Sequence, residues 1–485
     1  MSDTTPDELN TILDAATAAT EAFSSAAPAT RAGWLRAAAD ALDANSEKLV
    51  ELAMAETNLP NGRLTGEVAR SSGQIRMFAD ALESGWLLEL MVETADPDYK
   101  PVPRPDLRRT LVTVGPVLVF GASNFPFAFS VAGGDVAAAL AAGSPVVVKA
   151  HPGHLETSRA TAEVIATALA EAGAPAGVFA LIEGFEVGTQ ALTDPRIKAS
   201  AFTGSVPAGL ALHKIAANRD EPIPFYGELG SVNPVFVLPG AIAEKMQSLA
   251  EGYAGSLSLG VGQFCTSPGI TFAPAGSGFA EAAAKAAGEI GAADMLNSKI
   301  AEGYAKGAQK LRQNSAVEVL TEGSEDGLSA SPTVLRTDVK TLLENRDELI
   351  EECFGPLSIV AEYADTDELS DAIDAFGGNL TATVHQVESD NEIAAKLLPK
   401  LADKAGRVLF NGWPTGVAVS WAQNHGGPFP STVGTNHTSV GVTAARRFMR
   451  PVTFQDTPDT LLPDSLKDAN PLGLQRNYNG VDGTR

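Results

Sequence analysis

Two cysteines in 485 residues cannot build a disulfide framework, and their scarcity points to a reducing compartment. Positive charge is also short. The 35 Lys and Arg face 59 Asp and Glu, a net charge of −24 at pH 7. Such a surface repels phosphate backbones and anionic lipid, so neither nucleic acid nor membrane is expected as a partner. No apolar run reaches membrane-spanning length, and the opening "MSDTTPDELN" lacks the basic and apolar segments of an export signal. Internal repeats and low-complexity linkers are missing too. A cytoplasmic enzyme acting on a small molecule is the expectation that remains. Hydrophobic content of 44% with 46 glycines is ordinary for a globular protein. A chain of this length divides into two or three domains.

From Pro6 to about Gly85, apolar residues recur at helical spacing, as in Trp34, Leu35, Ala38 and Leu42, with Thr30 placed as an N-cap. From Thr110 the period changes. Short β-branched runs such as "VLVFG" and "PVVVKA" alternate with Ala-rich stretches such as "VAGGDVAAALAAG" and "LETSRATAEVIATALAEAG". That alternation predicts an α/β protein with a doubly wound parallel sheet. Ligands bind beyond the carboxyl ends of the strands in such sheets, which singles out the turns "GASNFP", "KAHPGH", "EGFEVG" and "FTGSVPAG". A second alternating region begins near Asn233 and runs to about Arg446. The tail "RPVTFQDTPDTLLP" reads as an edge strand that pairs elsewhere, with a subunit interface as one option.

Three short stretches carry candidate chemistry. Cys265 lies in "GQFCTSPG", among turn-forming Gly262, Pro268 and Gly269 and polar Gln263, Thr266 and Ser267. A packing cysteine usually sits in an apolar run, so this setting suits a thiol open to a ligand, although the octapeptide alone fits a structural cysteine equally well. "FTGSVPAG" puts Gly204 and Ser205 at a strand-to-helix turn, with Gly209 inside the helix. Backbone N–H groups there favour a phosphate, but a tight turn without a ligand is the default for such a stretch. Glu228 in "FYGELG" ends a mostly apolar strand, where a carboxylate must be paired, solvated or functional; a surface glutamate is the default.

In combination these stretches say more. "SNFPFAFS", "VVVKAHPGH", "FTGS", "GELGSVNP", "GQFC" and "EECFGP" follow one another in an order and at spacings that resemble the aldehyde dehydrogenase superfamily over nearly the whole chain. "FYGELGSVNP", "NGWPTGVAVS", "HGGPFPST" and the "AGGD" segment are most similar to the α-ketoglutaric semialdehyde (2,5-dioxovalerate) dehydrogenases. The resemblance implies an aldehyde dehydrogenase-like fold. Its dinucleotide-binding domain would comprise residues 1–97 and 114–230, its catalytic domain 231–446, and a bridging and oligomerisation element 98–113 and 447–485. It implies oxidation of 2,5-dioxopentanoate, or of a fatty or other semialdehyde, to the carboxylate. Cys265 would be the nucleophile, Asn124 the amide that stabilises the oxyanion, and Glu228 the base that hydrolyses the thioester. Toward the cofactor it implies Lys149 at the adenosine ribose or its phosphate, and Gly204, Ser205 and Gly209 at the pyrophosphate. Leu229 would lie beside the cofactor, Glu352 at the nicotinamide ribose and Phe354 against the nicotinamide. Cys353 would serve packing only. No metal is implied, and a homodimer or homotetramer is expected.

The chain also departs from the family pattern. Gly133 and Gly134 stand about nine residues after Asn124, where many relatives carry a lysine. No Lys or Arg lies between Ile182 and Gln190, where some NADP-specific relatives hold the 2′-phosphate. Pro152, however, stands three residues after Lys149, where many NAD-preferring relatives carry a glutamate. Losing that carboxylate removes a repulsion of about 1 kcal/mol from a 2′-phosphate. His151 or His154, when protonated, would add attraction. NADP⁺ is therefore the expected cofactor, with NAD⁺ as the alternative. Three rivals fare worse. A CoA-acylating relative commonly lacks the base glutamate, and a non-catalytic homologue would have lost Cys265, Glu228 or Asn124. A thiol hydrolase needs a histidine partner, and none is evident near Cys265. His437 in "VGTNHTS" and Trp413 in "NGWPTG" are the candidates for lining the aldehyde pocket.

Overall fold

This computed structural model describes residues 3–484; Met1, Ser2 and Arg485, at the outer limits of the domains expected above, lie outside the described residues. The β-branched runs form strands where the alternation predicts them. Val117–Phe120 is buried at every residue, as a parallel strand covered on both faces must be. Val146–Lys149 and then Phe179–Ile182 pair outward from it on one side, Ala199–Thr203 and then Phe225–Glu228 on the other, all in parallel. The chain thus winds out from the middle strand, crosses back and winds out again. The sheet is doubly wound, and the four turns singled out above each follow one of its strands. A two-residue strand, Thr432–Val433, closes its edge antiparallel and sets Thr432 opposite Glu228.

A second sheet carries Thr333–Asp338, Leu357–Tyr363, Ile270–Pro274, Val235–Val237, Asn379–His385 and Ala405–Phe410 in that spatial order, all parallel. Glu318–Thr321 runs antiparallel at one edge. The tail strand Met449–Gln455 pairs antiparallel with Leu107–Thr113 of the same chain, from Met449 opposite Thr113 to Gln455 opposite Leu107. Among the described residues, no helix is long and apolar enough to cross a membrane.

The early helices pack against the first sheet through one continuous core that includes Trp34, Leu35, Ala38 and Leu42. One expectation fails there. Helix Pro28–Ala44 starts two residues before Thr30, because Pro28 fits the first helical turn with its preset φ and missing N–H. Thr30 lies inside that turn, and Ala27 is the cap residue.

Helix Gly134–Ala141 is buried along its whole length and begins in the "AGGD" segment. A Cβ on Gly133 would come within 2.8 Å of the Ser130 backbone, and one on Gly134 within 2.7 Å of Gln74 Nε2. A lysine at Gly133 would run into backbone, and one at Gly134 would have to displace the Gln74 amide. Asp135 and Arg447 form a buried pair at 2.6 Å, which ties this helix to the chain just before the tail strand. Arg447→Ala strands the Asp135 carboxylate, and a loss of about 3–5 kcal/mol is expected as a lower urea midpoint. An unchanged midpoint would show that the pair does not hold the tail in place.

Candidate active site

Three consecutive left-handed residues deliver Cys265. Gly260, Val261 and Gly262 have φ of 57°, 57° and 68° after helix Pro239–Ser258, and Val261 is a β-branched residue in a conformation it strongly disfavours. A side chain on Gly262 would collide with the Gly355 backbone. Asn233 fixes the far side of the turn, donating from Nδ2 to the carbonyls of Cys265 (2.8 Å) and Ser267 (2.9 Å). Asn233 is itself held, because its N–H donates to Asn379 Oδ1 and its own Oδ1 accepts from Ser231 and Thr381 hydroxyls. Asn233 sits in "GSVNP", yet neither it nor Asn379 stood out in the sequence, since an asparagine that acts on backbone has no chemical signature.

Glu228 ends its strand fully enclosed, 5% exposed. His425 Nε2 donates to its Oε1 at 2.9 Å and Ser439 Oγ donates to its Oε2 at 2.9 Å. Burial pushes this carboxyl upward, but His425, Ser439 and the Cys265 thiol outweigh it, and the group stays below the ordinary glutamate range. The absence of a histidine partner for Cys265, read from the sequence, is overturned: His425 Nε2 lies 3.5 Å from Sγ, across 160 residues of chain. "HGGPFPST" held that histidine in plain view, but spacing along the chain does not reveal a neighbour in space. Burial and the Glu228 charge push the Cys265 thiol well above its normal value.

Asn124 is buried and its Nδ2 donates to the Gln263 carbonyl at 3.0 Å, two residues before Cys265. An amide nitrogen has two protons, so one more N–H is on hand. The loop beyond is fixed from below by Glu67, whose Oε1 accepts from the N–H groups of Phe127 (2.8 Å) and Ala128 (2.9 Å).

A cavity of about 380 Å³ is lined by Ser205, Val206, Gly230, Ser231, Glu352 and Asn379, among others. Helix Val206–Ala217 opens into it from Ser205 with no side-chain cap, leaving first-turn N–H groups for a ligand. Gly204 donates its N–H to the Glu228 carbonyl. A Cβ on Gly209 would collide with Leu229, and one on Gly230 would lie 2.5 Å from Glu352 Oε2. A backbone cradle this tight fits the pyrophosphate and nicotinamide half of a dinucleotide. Glu352 is pushed up to about 7 by burial and by Glu228. It accepts weakly from Ser231 N–H at 3.4 Å. Phe354 shares a small crevice with Phe264 and Glu352. Lys149 ends its strand half-buried, its ammonium disfavoured by burial and by Lys299 but supported by Asp3.

One sequence expectation, the charge on the histidines after Lys149, is corrected here. His151 is driven down to about 3 by burial and by neighbouring cations, and burial likewise lowers His154, whose Nε2 lies 2.8 Å from the Ala122 carbonyl. Both rings are neutral near pH 7 and lend no charge to a 2′-phosphate. Trp413 packs its ring against His385 (4.5 Å) and Tyr253 (6.0 Å). His437 meets Tyr226 edge-on at 5.3 Å and lines a small crevice with Glu228 and His425. Cys353 is a thiol pushed up to about 12 by burial.

A doubly wound sheet whose carboxyl edge faces a thiol, a buried carboxylate and a side-chain amide defines a class, a dinucleotide-fold enzyme centred on a cysteine. A profile described as the aldehyde dehydrogenase family matches residues 1–451. Alpha-ketoglutaric semialdehyde dehydrogenase 2 of Azospirillum brasilense is 45% identical over 459 residues, covering 93% of this chain and 87% of that protein. Alpha-ketoglutaric semialdehyde dehydrogenase of Acinetobacter baylyi is 44% identical over 456 residues, with the same 93% and 87% coverage. In fold, the chain matches aldehyde dehydrogenase 21 from Physcomitrella patens, solved with the reaction product succinate, at TM-score 0.79 and 20% identity over 93% of this chain and 91% of that one. The chain belongs to the aldehyde dehydrogenase family and is an oxidoreductase.

The site's electrostatics make a test. Iodoacetamide should alkylate Cys265 slowly at pH 7 and faster as the pH climbs, because the thiol is held protonated. Glu228→Gln removes the charge that opposes thiolate formation, so alkylation at pH 8 should accelerate. Slower alkylation in that variant would mean that Glu228 draws the proton off the resting thiol instead.

Proposed function

We propose that the enzyme oxidises 2,5-dioxopentanoate to 2-oxoglutarate with a nicotinamide dinucleotide, through a thiohemiacetal and then a thioester on Cys265. One observation carries the reading: the ligating atoms of Cys265, Glu228 and His425 all lie within 4.8 Å of one another. The choice of aldehyde is supported by two relatives of that named activity at 45% and 44% identity over most of the chain.

The residues divide the work. Cys265 attacks the aldehyde carbon as its proton moves to the Glu228 carboxylate, with which it already shares a hydrogen bond. The free Asn124 N–H and the Cys265 N–H stabilise the oxyanion. Lys149, Ser205 and Glu352 would hold the dinucleotide along its length, and its nicotinamide would supply the hydride acceptor. Glu228 then takes a proton from the water that hydrolyses the thioester. Aldehyde, water and oxidised cofactor give carboxylate, reduced cofactor and two protons. His425, with its proton on the Nε2 that faces Glu228, keeps this carboxylate ionised for both roles. A cysteine–histidine pair also occurs in thiol hydrolases. Here both contacts fall on one ring nitrogen, while Nδ1 is buried among the described residues with no acceptor to orient it, so the ring is not set as a hydrolase relay.

For the cofactor we propose use of NADP⁺ at least as well as NAD⁺. Pro152 carries no carboxylate, and Lys149 retains a cation at the strand end. The Asp3 carboxylate, packed against Gly184, partly offsets that cation.

Following reduced-cofactor absorbance over a substrate panel tests the reading. Cys265→Ala should lose aldehyde oxidation by several orders of magnitude while Cys353→Ala keeps most of it; the reverse pattern would move the nucleophile. Removing the imidazole in His425→Asn lets the Glu228 pKa rise. Activity that needs the ionised carboxylate is lost as pH falls through that pKa, so the acid limb of kcat should move to higher pH. An unmoved limb would detach His425 from Glu228's role. Asp3→Asn should raise kcat/KM for NADP⁺ relative to NAD⁺ by about 3–10-fold. A tenfold advantage of NAD⁺ in the unmodified enzyme would overturn the cofactor proposal.

A further inference from the structure

Arg63 and Arg70 stand seven residues apart on helix Asn61–Glu83, two turns along one face. Charged residues on a helix usually face solvent, but these two turn inward. The Arg63 guanidinium lies 4.8 Å over the Phe125 ring and 4.7 Å over Phe264. Arg70 lies 5.8 Å over Phe125 and 5.1 Å over Phe129. Phe125 follows Asn124 and Phe264 precedes Cys265, and the two rings meet edge-on at 5.2 Å. The two cations therefore sit over an aromatic floor whose ends are the oxyanion amide and the nucleophile.

Their hydrogen bonding is incomplete. Arg63 donates one Nη2–H to the Asn124 carbonyl at 2.6 Å. Its Nε and Nη1, and the Nε and Nη2 of Arg70, are buried without a protein partner among the described residues. The acid that acts on both cations is Glu67, and its Oε1 is already committed to Phe127 and Ala128. Glu67 faces both cations and Glu228 acts on Arg70, so their charges are partly offset, while four guanidinium nitrogens keep no acceptor among the described residues. Buried donors left unpaired are destabilising unless a ligand completes them. The reach of Arg70 to Cys265 and Glu228 locates these donors near the reacting thiol.

We infer that Arg63 and Arg70 form the subsite for the carboxylate at the far end of the aldehyde, so the enzyme selects substrates with one anionic terminus. This rests on the proposed oxidation of 2,5-dioxopentanoate, which carries a single carboxylate across a short chain from its aldehyde. The unpaired guanidinium N–H groups suit a carboxylate's paired acceptors, and the phenylalanine faces suit the methylenes between.

The test compares 2,5-dioxopentanoate with pentanal, of equal chain length and no charge, in wild type, Arg63→Gln, Arg70→Gln and Arg70→Lys. In either Gln variant, the kcat/KM ratio of the acid to pentanal should fall by about 10–100-fold, and Arg70→Lys should recover part of it. Calorimetry, which needs no turnover, should find 2-oxoglutarate binding weakened about 10-fold or more in the Gln variants. Glutarate should also compete with pentanal in the wild type while glutaramide does not, a measurement that needs no variant. Equal losses on both substrates, unchanged 2-oxoglutarate binding, or glutaramide inhibiting as well as glutarate would each make the arginines structural. A wild type that oxidises pentanal but not 2,5-dioxopentanoate would instead refute the substrate reading, and one that oxidises neither would refute aldehyde oxidation.

Discussion

A carboxylate that stays ionised while fully enclosed is the constraint on which this active site depends. Glu228 gains nothing from solvent, so the protein must supply every donor it uses. His425 and Ser439 come from the C-terminal segment, and the thiol comes from the turn after helix Pro239–Ser258. The carboxylate itself ends a strand of the first sheet. One buried charge therefore draws three separate parts of the chain into contact. The small strand Thr432–Val433, paired beside Glu228, brings the C-terminal segment to the point where its histidine and serine can reach.

The same electrostatics divide labour between the two ionisable partners. Burial acts on both, but with different results. Glu228 has donors that prefer its charged form and stays a carboxylate, whereas Cys265 has that carboxylate beside it and stays a thiol. The resting site is thus a protonated thiol next to a charged carboxylate, a state that resists adventitious oxidation. Glu352, pushed up to about 7 by burial and by Glu228, extends this acidic cluster toward the cavity beside Ser205. Arg63 lies against Asn124 and Phe264 and Arg70 over Phe125 and Phe129, and Arg70 acts on the same sulfur as Glu228 and Glu352 with the opposite sign.

Much of this was legible in the sequence, and what was not has a common cause. Strand–helix alternation revealed the doubly wound sheet and its ligand-bearing turns, because periodicity reports burial directly. The positions of Cys265, Glu228 and Asn124 were readable as motifs, since each lies in a turn or strand end with a distinct residue pattern. His425 was not, because its partners are 160 and 197 residues away and only folding brings them together. Arg63 and Arg70 were hidden for the opposite reason. On an amphipathic helix that also carries Arg76, arginines read as a solvated face, and only the phenylalanines beneath Arg63 and Arg70 show that these two point inward. Thr30 was misread because a threonine after a proline satisfies the cap pattern, while the proline itself opens the helix earlier. The histidines near Lys149 looked like cations by type and are neutral by burial.

Covalent chemistry on Cys265 is the central claim, and the most direct measurement is the mass of the enzyme trapped during turnover. Glu228→Gln enzyme would be mixed with 2,5-dioxopentanoate and NADP⁺ at alkaline pH, where the thiol ionises without the carboxylate to take its proton, then quenched in acid within the first turnover, digested and mapped. With the hydrolytic base gone, the account expects the peptide containing Cys265 to carry the acyl group of 2-oxoglutarate as a thioester. An unmodified Cys265 peptide after measurable cofactor reduction, or the acyl group on Cys353 instead, would contradict it.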